Sequence, residues 1–244
     1  MMLNVVPNEL TDPLAGLPQV AAWQAEQLDR LGMDTDPRFS PLLTLAFTVP
    51  ELAGEVSGVR FVGVSARSSA VEFPWEWLDG RPLVIVSLGT MNADAGREFL
   101  TESVRALAGR PDLEGIVVGD VSGAPNVLVQ PEVPFVELVL RANTVVCHGG
   151  HNTVCESLSA GVPLVIAPIR DDQPIIAQQV VRAGAGERLR FGLAKAVHVA
   201  AAVDRALTDT ELQGAAQRMR AAFASAGGAP AAADALEEVL VVHR

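Results

Sequence analysis

Tyrosine is absent from the 244-residue sequence, cysteine occurs twice, histidine four times, and aromatic residues make up only 5%. So few cysteines exclude a small disulfide-stapled scaffold and fit a reducing compartment. Basic residues are scarce as well: 18 Lys and Arg stand against 29 Asp and Glu, a formal net charge of −11. A chain so acidic has no electrostatic footprint for nucleic acid or for an anionic membrane surface. No apolar run is long enough to span a bilayer, and no charged-then-apolar leader is visible. Together these absences lead us to expect a cytoplasmic protein. Internal repeats are lacking, and Ala224 to Ala233, rich in small residues, reads as a linker.

What is plentiful is apolar content, 49% of residues, enough to bury one large core or one and a fraction. Leu83-Val84-Ile85-Val86 is a continuous apolar run of the kind buried in a parallel sheet. Further strand patterns fall at Leu42 to Phe47, Val59 to Gly63, Ile116 to Val118, Val127 to Val129, Thr144 to Cys147, Pro163 to Ile166 and Gly186 to Arg190. Helical spacing marks Gly16 to Leu31, Ala95 to Ala108, Phe135 to Leu140, the stretch after Gly150, Asp172 to Ala183, Lys195 to Leu207, Thr210 to Phe223 and Ala231 to Val242. Strands alternating with helices imply parallel βαβ units with right-handed crossovers. The expected fold class is therefore α/β, a doubly wound, Rossmann-like parallel sheet.

The chemistry concentrates between Cys147 and Gln173. Thr144-Val145-Val146-Cys147 ends in His148-Gly149-Gly150, and Asn152, Thr153 and Glu156 then open a helix. Strand, tight glycine loop and helix present bare N–H groups and the positive end of a helix dipole to an anion. His148, Asn152 and Thr153 can add donors around a phosphate, and glycine lets it approach the main chain. Glu156 shares a helix face with Asn152 and Thr153, where its two oxygens can grip a vicinal diol. Phosphate beside sugar hydroxyls describes a nucleotide. A second glycine loop, Ser87-Leu88-Gly89-Thr90, ends the Leu83 strand, and ligands of doubly wound sheets bind at such carboxyl ends. Its alternative is an ordinary βα turn.

Other patterns have plainer readings. Cys147, His148, His151 and Cys155 lie close enough to suggest zinc, but one cysteine ends a buried strand, the other lies inside a helix, and the spacing fits no usual structural site. Asp34-Thr35-Asp36 has the form of a D-x-D metal clamp and reads as a polar turn before Pro37. Gly63-Val64-Ser65-Ala66-Arg67 lacks the second glycine of a nucleophile elbow and reads as linker. Trp75 and Trp77 read as packing residues of a short helical turn. Asp172 and Gln173, taken alone, are N-cap and first-turn residues.

His148-Gly149-Gly150-His151-Asn152-Thr153 with Glu156, Gly161-Val162-Pro163, Pro168 and Asp172-Gln173 resembles the donor-binding signature of family-one, GT-B-type glycosyltransferases, the bacterial antibiotic and macrolide enzymes among them. The chain is accordingly identified as the C-terminal half of a GT-B fold. The resemblance implies a remnant of an N-terminal acceptor domain over 1–66, a nucleotide-sugar donor domain over 67–223 and a tail helix over 224–244. It implies that His148, Gly149, Gly150, Asn152, Thr153, Ser87, Gly89 and Thr90 bind the diphosphate and Glu156 the ribose. Val133 and Phe135 would meet the base, and Asp172 and Gln173 the donor sugar, with Asp171 and Arg170 at the rim. Glu132 stands where many relatives carry a base-stacking Trp, and Phe135 where many carry Gln. The implied donor is a UDP- or TDP-sugar and the acceptor a small molecule or lipid. No cofactor or metal is expected.

Inverting transfer in this family takes its general base, a His backed by an Asp, from near the start of the N-terminal domain. Here the histidines are His148, His151, His198 and His243, and none matches that position. The base is therefore expected from outside this chain, either from a separate acceptor-domain chain or from absent upstream sequence. The alternative is a noncatalytic nucleotide-sugar binder, whether as a partner subunit or as a homodimer.

Overall fold

The computed structural model describes residues 2–3, 18–32, 42–66, 68–89 and 93–242. The Asp34-Thr35-Asp36 turn lies outside them. The chain divides into two compact units, Met1–Ser65 with Ser225–Arg244, and Ala66–Ala224.

In the first unit, β1 (Met2–Leu3), β2 (Thr44–Ala46) and β3 (Val59–Phe61) form a parallel sheet in the order β1-β2-β3. Helix α1 (Pro18–Arg30) precedes β2, and the single turn α2 (Pro50–Ala53) joins β2 to β3. Gly32 follows α1 with φ 64°, the left-handed stop expected of a glycine there.

The second unit holds a six-stranded, all-parallel sheet. Its strands are β4 (Leu83–Ser87), β5 (Glu114–Val118), β6 (Val127–Gln130), β7 (Thr144–Cys147), β8 (Leu164–Ile166) and β9 (Gly186–Arg188). The helices between them are α3 (Ala93–Ala108), α4 (Phe135–Val139), α5 (His151–Ser159) and α6 (Gln173–Arg182), followed by α7 (Ala196–Thr208) and α8 (Thr210–Ala226). Spatial order is β6-β5-β4-β7-β8-β9, so succession reverses between β4 and β7. Such a reversal leaves a crevice at the carboxyl ends of the two strands. Registers pair Val86 with Val146 and Ser87 with Cys147, which sets the loops after β4 and β7 abreast.

Both sheet faces are covered, and this is why the strands read as unbroken apolar runs. Val84, Val86, Val117, Val146 and Val165 pack with Phe99, Leu100 and Val104 of α3 and with Val199, Ala202 and Val203 of α7. Ile85, Ile116, Val145 and Leu164 alternate to the opposite face and are equally buried. On α8, Ala216, Met219 and Phe223 form the buried face that their spacing predicts, with Leu212 half-buried beside them.

The stretch from Ala224 to Ala233 is not a linker. Ala224 to Ala226 close α8, Gly227 breaks the chain with φ 84°, and α9 (Gly228–Val242) starts at once. Alanine is the best helix former, and a run of small residues is flexible only when nothing covers it. Here Ala232 and Ala235 are buried against Leu45 and Val62, and Arg60 pairs with Glu238. Small side chains are what let the helix lie close to β2.

Glycines hold the helix ends that matter for the site. Gly161 ends α5 with φ 79°, and Gln217 Nε2 donates to its carbonyl at 3.0 Å. A Cβ at that position would stand 2.7 Å from the same Nε2. Gly161→Ala should therefore cost about 1–2 kcal/mol from backbone conformation alone. A fall in Tm of roughly 2–8 °C is expected in a circular dichroism melt, and an unchanged Tm would show the turn to be unstrained.

Candidate functional site

The site forms where the β4 and β7 loops meet. His148, the first residue after β7, is 8% exposed, and its ring packs between two glycines. A Cβ on Gly89 would lie 2.9 Å from His148 Cε1, and one on Gly150 would lie 2.5 Å from His148 Nε2. Neither position has room for a side chain once the imidazole is in place. Gly89 and Gly149 also have φ 69° and 89°, which other residues adopt only at a cost. A Cβ on Gly149 would meet Ile166 Cγ2 at 3.0 Å and the Gln173 carbonyl at 3.3 Å. The loop after β7 is thus pressed between the loop after β4 and the entry to α6.

Beside this contact opens a cavity of about 410 Å³ that gathers Ser87, Gly89, Val133, Phe135, Thr153 and Glu156. Its walls come from elements distant in sequence. The β4 loop supplies Ser87 and Gly89, the entry to α4 supplies Val133 and Phe135, and the first turns of α5 supply Thr153 and Glu156. Glu132 stands exposed at the rim. The remaining walls, Leu88, Leu100, Val118, Gly119 and Pro131, are not marked by the sequence. Their apolar types carry no chemical signal, although Val118-Gly119 places a glycine at a strand's carboxyl end, as in the loops after β4 and β7. A Cβ on Gly119 would strike Leu100 Cδ1 at 2.6 Å, so this wall too depends on glycine.

Other expected site residues lie around the cavity and not in its lining. Asn152 is exposed in the first turn of α5. Asp172 occupies the N-cap position of α6, but its side chain makes no capping bond and is half-buried. Gln173 is 6% exposed, and its Oε1 accepts from Ile169 N at 2.8 Å and Arg170 N at 3.1 Å. Asp171 is exposed with φ 55° and pairs with Arg170 at 3.6 Å. Thr90 lies outside the described residues. Trp75 meets Phe73 edge-on and lies under the Arg141 guanidinium, a packing role.

Burial sets the electrostatics. It pushes the His148 imidazole below its ordinary value, while the Ser87 backbone and the Asp172 carboxylate pull the other way. Among the described residues Nδ1 of His148 is buried and makes no hydrogen bond. An orphan of this kind costs free energy and calls for an explanation, of which a functional role is one. Burial raises the Glu156 carboxyl, and desolvation is the sole cause of that shift. A half-buried carboxylate facing a cavity, with no cation among the described residues to offset its desolvation, is held there at a cost to stability.

A zinc cluster does not assemble. Cys147 is fully buried at the end of β7, with its thiol pushed up to about 12, and Cys155 Sγ contacts His151 Nε2 at 3.5 Å within α5. Among the described residues no three His, Cys, Asp or Glu side chains converge.

A parallel sheet reversing at β4 and β7, with glycine loops at both carboxyl ends, defines a Rossmann-like domain. Residues 114–239 match the family described as erythromycin biosynthesis protein CIII-like, C-terminal domain, and the chain belongs to that family. Demethyllactenocin mycarosyltransferase of Streptomyces fradiae is 34% identical over 200 residues, which cover 78% of this chain and 43% of that protein. The crystal structure of the glycotransferase of kitacinnamycin superposes with a TM-score of 0.80 at 24% identity, covering 96% of this chain and 68% of the other. Spinosyn rhamnosyltransferase SpnG in complex with thymidine diphosphate gives a TM-score of 0.71 at 22% identity, over 82% of this chain and 57% of the other. The chain spans about half the length of the curated relatives it matches. Among the described residues no helix is long and apolar enough to cross a membrane.

Glu156 generates a pH prediction with a definite sign. Its folded pKa lies above the unfolded value of 4.5, so the stability it contributes is present below that value and lost as pH rises through the folded pKa. Glu156→Gln should therefore raise Tm at pH 7, with the gain vanishing below about pH 4.5. A Tm lower than the parent's at pH 7 would mean that the carboxylate is held by a favourable contact.

Proposed function

We propose that this chain is the donor half of a glycosyltransferase and that the cavity at the β4–β7 reversal takes a nucleoside-diphosphate sugar of UDP or TDP type. The observation that carries the reading is the joining of a buried imidazole, two glycine loops and an uncompensated carboxylate in one crevice. In this reading the diphosphate lies over Gly89, Gly149 and Gly150, where backbone N–H groups, the dipole of α5 and His148 meet its charge. Glu156 accepts from the ribose hydroxyls, a charge-assisted pair that repays its desolvation. Val133 and Phe135 flank the base, and Asp172 and Gln173 stand beside the sugar. The glycosyltransferase names of the relatives, and the thymidine diphosphate held by the spinosyn enzyme in its complex, support this assignment of ligand class.

The chemistry is displacement at the anomeric carbon. An acceptor oxygen bonds to that carbon from the face opposite the nucleotide, the bond to the diphosphate oxygen breaks, and configuration inverts. Charge grows on the departing diphosphate, and fixed donors aimed at it stabilise that charge without metal. A base must also take the acceptor's proton. Among the described residues His148 is committed to the anion side, and His198 Nδ1 accepts from Lys195 N at the start of α7. In this reading the base belongs to an acceptor domain, of the same protein or of a partner. A donor-binding subunit that performs no transfer by itself is the second reading.

Calorimetric titration tests the site. The parent chain should bind UDP or TDP, and Glu156→Ala should weaken both nucleoside and nucleotide by about tenfold or more, the value of a hydrogen bond to a charged group. His148→Ala should weaken the diphosphate by a similar factor while leaving uridine or thymidine unaffected. Affinities equal to the parent's would overturn these roles.

A further inference from the structure

The turn leading into α6 is the one place among the described residues where a residue other than glycine has positive φ: Asp171, at 55°. Aspartate tolerates this region better than most residues, yet still at a cost, so something must hold the turn. Its carboxylate pairs with exposed Arg170 at 3.6 Å, a contact too solvated to dictate the backbone. Gln173 is placed to do so. Its amide is buried, and Oε1 takes the N–H groups of both Ile169 and Arg170, while its own backbone N–H donates to the Arg170 carbonyl at 3.2 Å. One side chain thus closes the loop on both sides of the strained residue. The consequence falls on Asp172, whose backbone carbonyl starts α6 by accepting from Ile175 and Ile176. Its carboxylate makes no cap bond and stays within electrostatic reach of His148. Gly149 abuts the Gln173 carbonyl, so the anion loop and this turn keep a fixed spacing.

We propose that Gln173 is a positioning residue for the donor sugar, acting through the carbonyl of its amide. By clamping the Ile169 and Arg170 amides it holds Asp171 left-handed and leaves the Asp172 carboxylate free to accept from sugar hydroxyls instead of capping α6. This rests on the donor-site reading above and assigns to Gln173 a role distinct from direct contact with the sugar.

Two substitutions separate the roles. Gln173→Glu keeps an oxygen to accept from the two amides and removes the N–H₂ donor, whereas Gln173→Leu removes both. The readout is the ratio of affinities for UDP-glucose and UDP, or for TDP-glucose and TDP, which cancels any change at the diphosphate. The clamp predicts that Gln173→Glu keeps the parent's ratio within about twofold and that Gln173→Leu loses roughly tenfold, the value of about one hydrogen bond. Equal loss in both variants would overturn the proposal in favour of direct contact through Nε2. A second readout needs no ligand: amide hydrogen exchange at Ile169 and Arg170 should accelerate in Gln173→Leu and not in Gln173→Glu. Unchanged exchange in Gln173→Leu would overturn the clamp whatever the parent binds, while failure of the parent to bind any of the four ligands would sink the donor-site reading on which it rests.

Discussion

One register governs the site: Ser87 opposite Cys147 at the carboxyl ends of β4 and β7. Because the two strands end level where the strand order reverses, the loops that follow them meet across the crevice. The His148 ring fills the volume that side chains on Gly89 and Gly150 would need. Shifting either strand by one residue would exchange the side chains that pack on the two faces and part the loops, so the packing of the core and the geometry of the site are the same constraint.

That constraint bears on the proposal that an acidic chain takes an anionic ligand. With a net charge of −11 there is no global field to draw phosphate in. What remains is local: glycine loops that a side chain would block, the amino end of a helix, and an imidazole whose pKa burial pushes down. The same low-dielectric setting raises the Glu156 carboxyl, so the features suited to a ligand are the ones that cost the free protein stability.

The two units differ in how openly they declare themselves in sequence. In the larger unit, strands buried on both faces leave continuous apolar runs, and glycines follow β4, β5 and β7, so every strand was legible and only its ends moved by a residue or two. The alanine-rich stretch between α8 and α9 was not, because composition shows that a segment lacks bulk and not whether another element covers it. Ala232 and Ala235 become core residues only through contact with Leu45 and Val62, far away in the chain. The cavity walls behave alike: glycine loops, histidine and carboxylate announced themselves, while Leu100 and Val118 belong to the cavity only because the sheet brings them there.

Local order, by itself, determined the alternation of strand and helix and the kinship carried by the stretch from His148 to Gln173, since each depends on neighbours a few residues apart. Tertiary structure alone decided which of the named side chains share a crevice, that Asn152 stands outside it, and that Gln173 spends its carbonyl on backbone amides. It also decided that α9 packs with the N-terminal strands. These outcomes turn on contacts between residues far apart in the chain, and burial, which pushes the His148 imidazole down and the Glu156 carboxyl up, exists only once those contacts have formed.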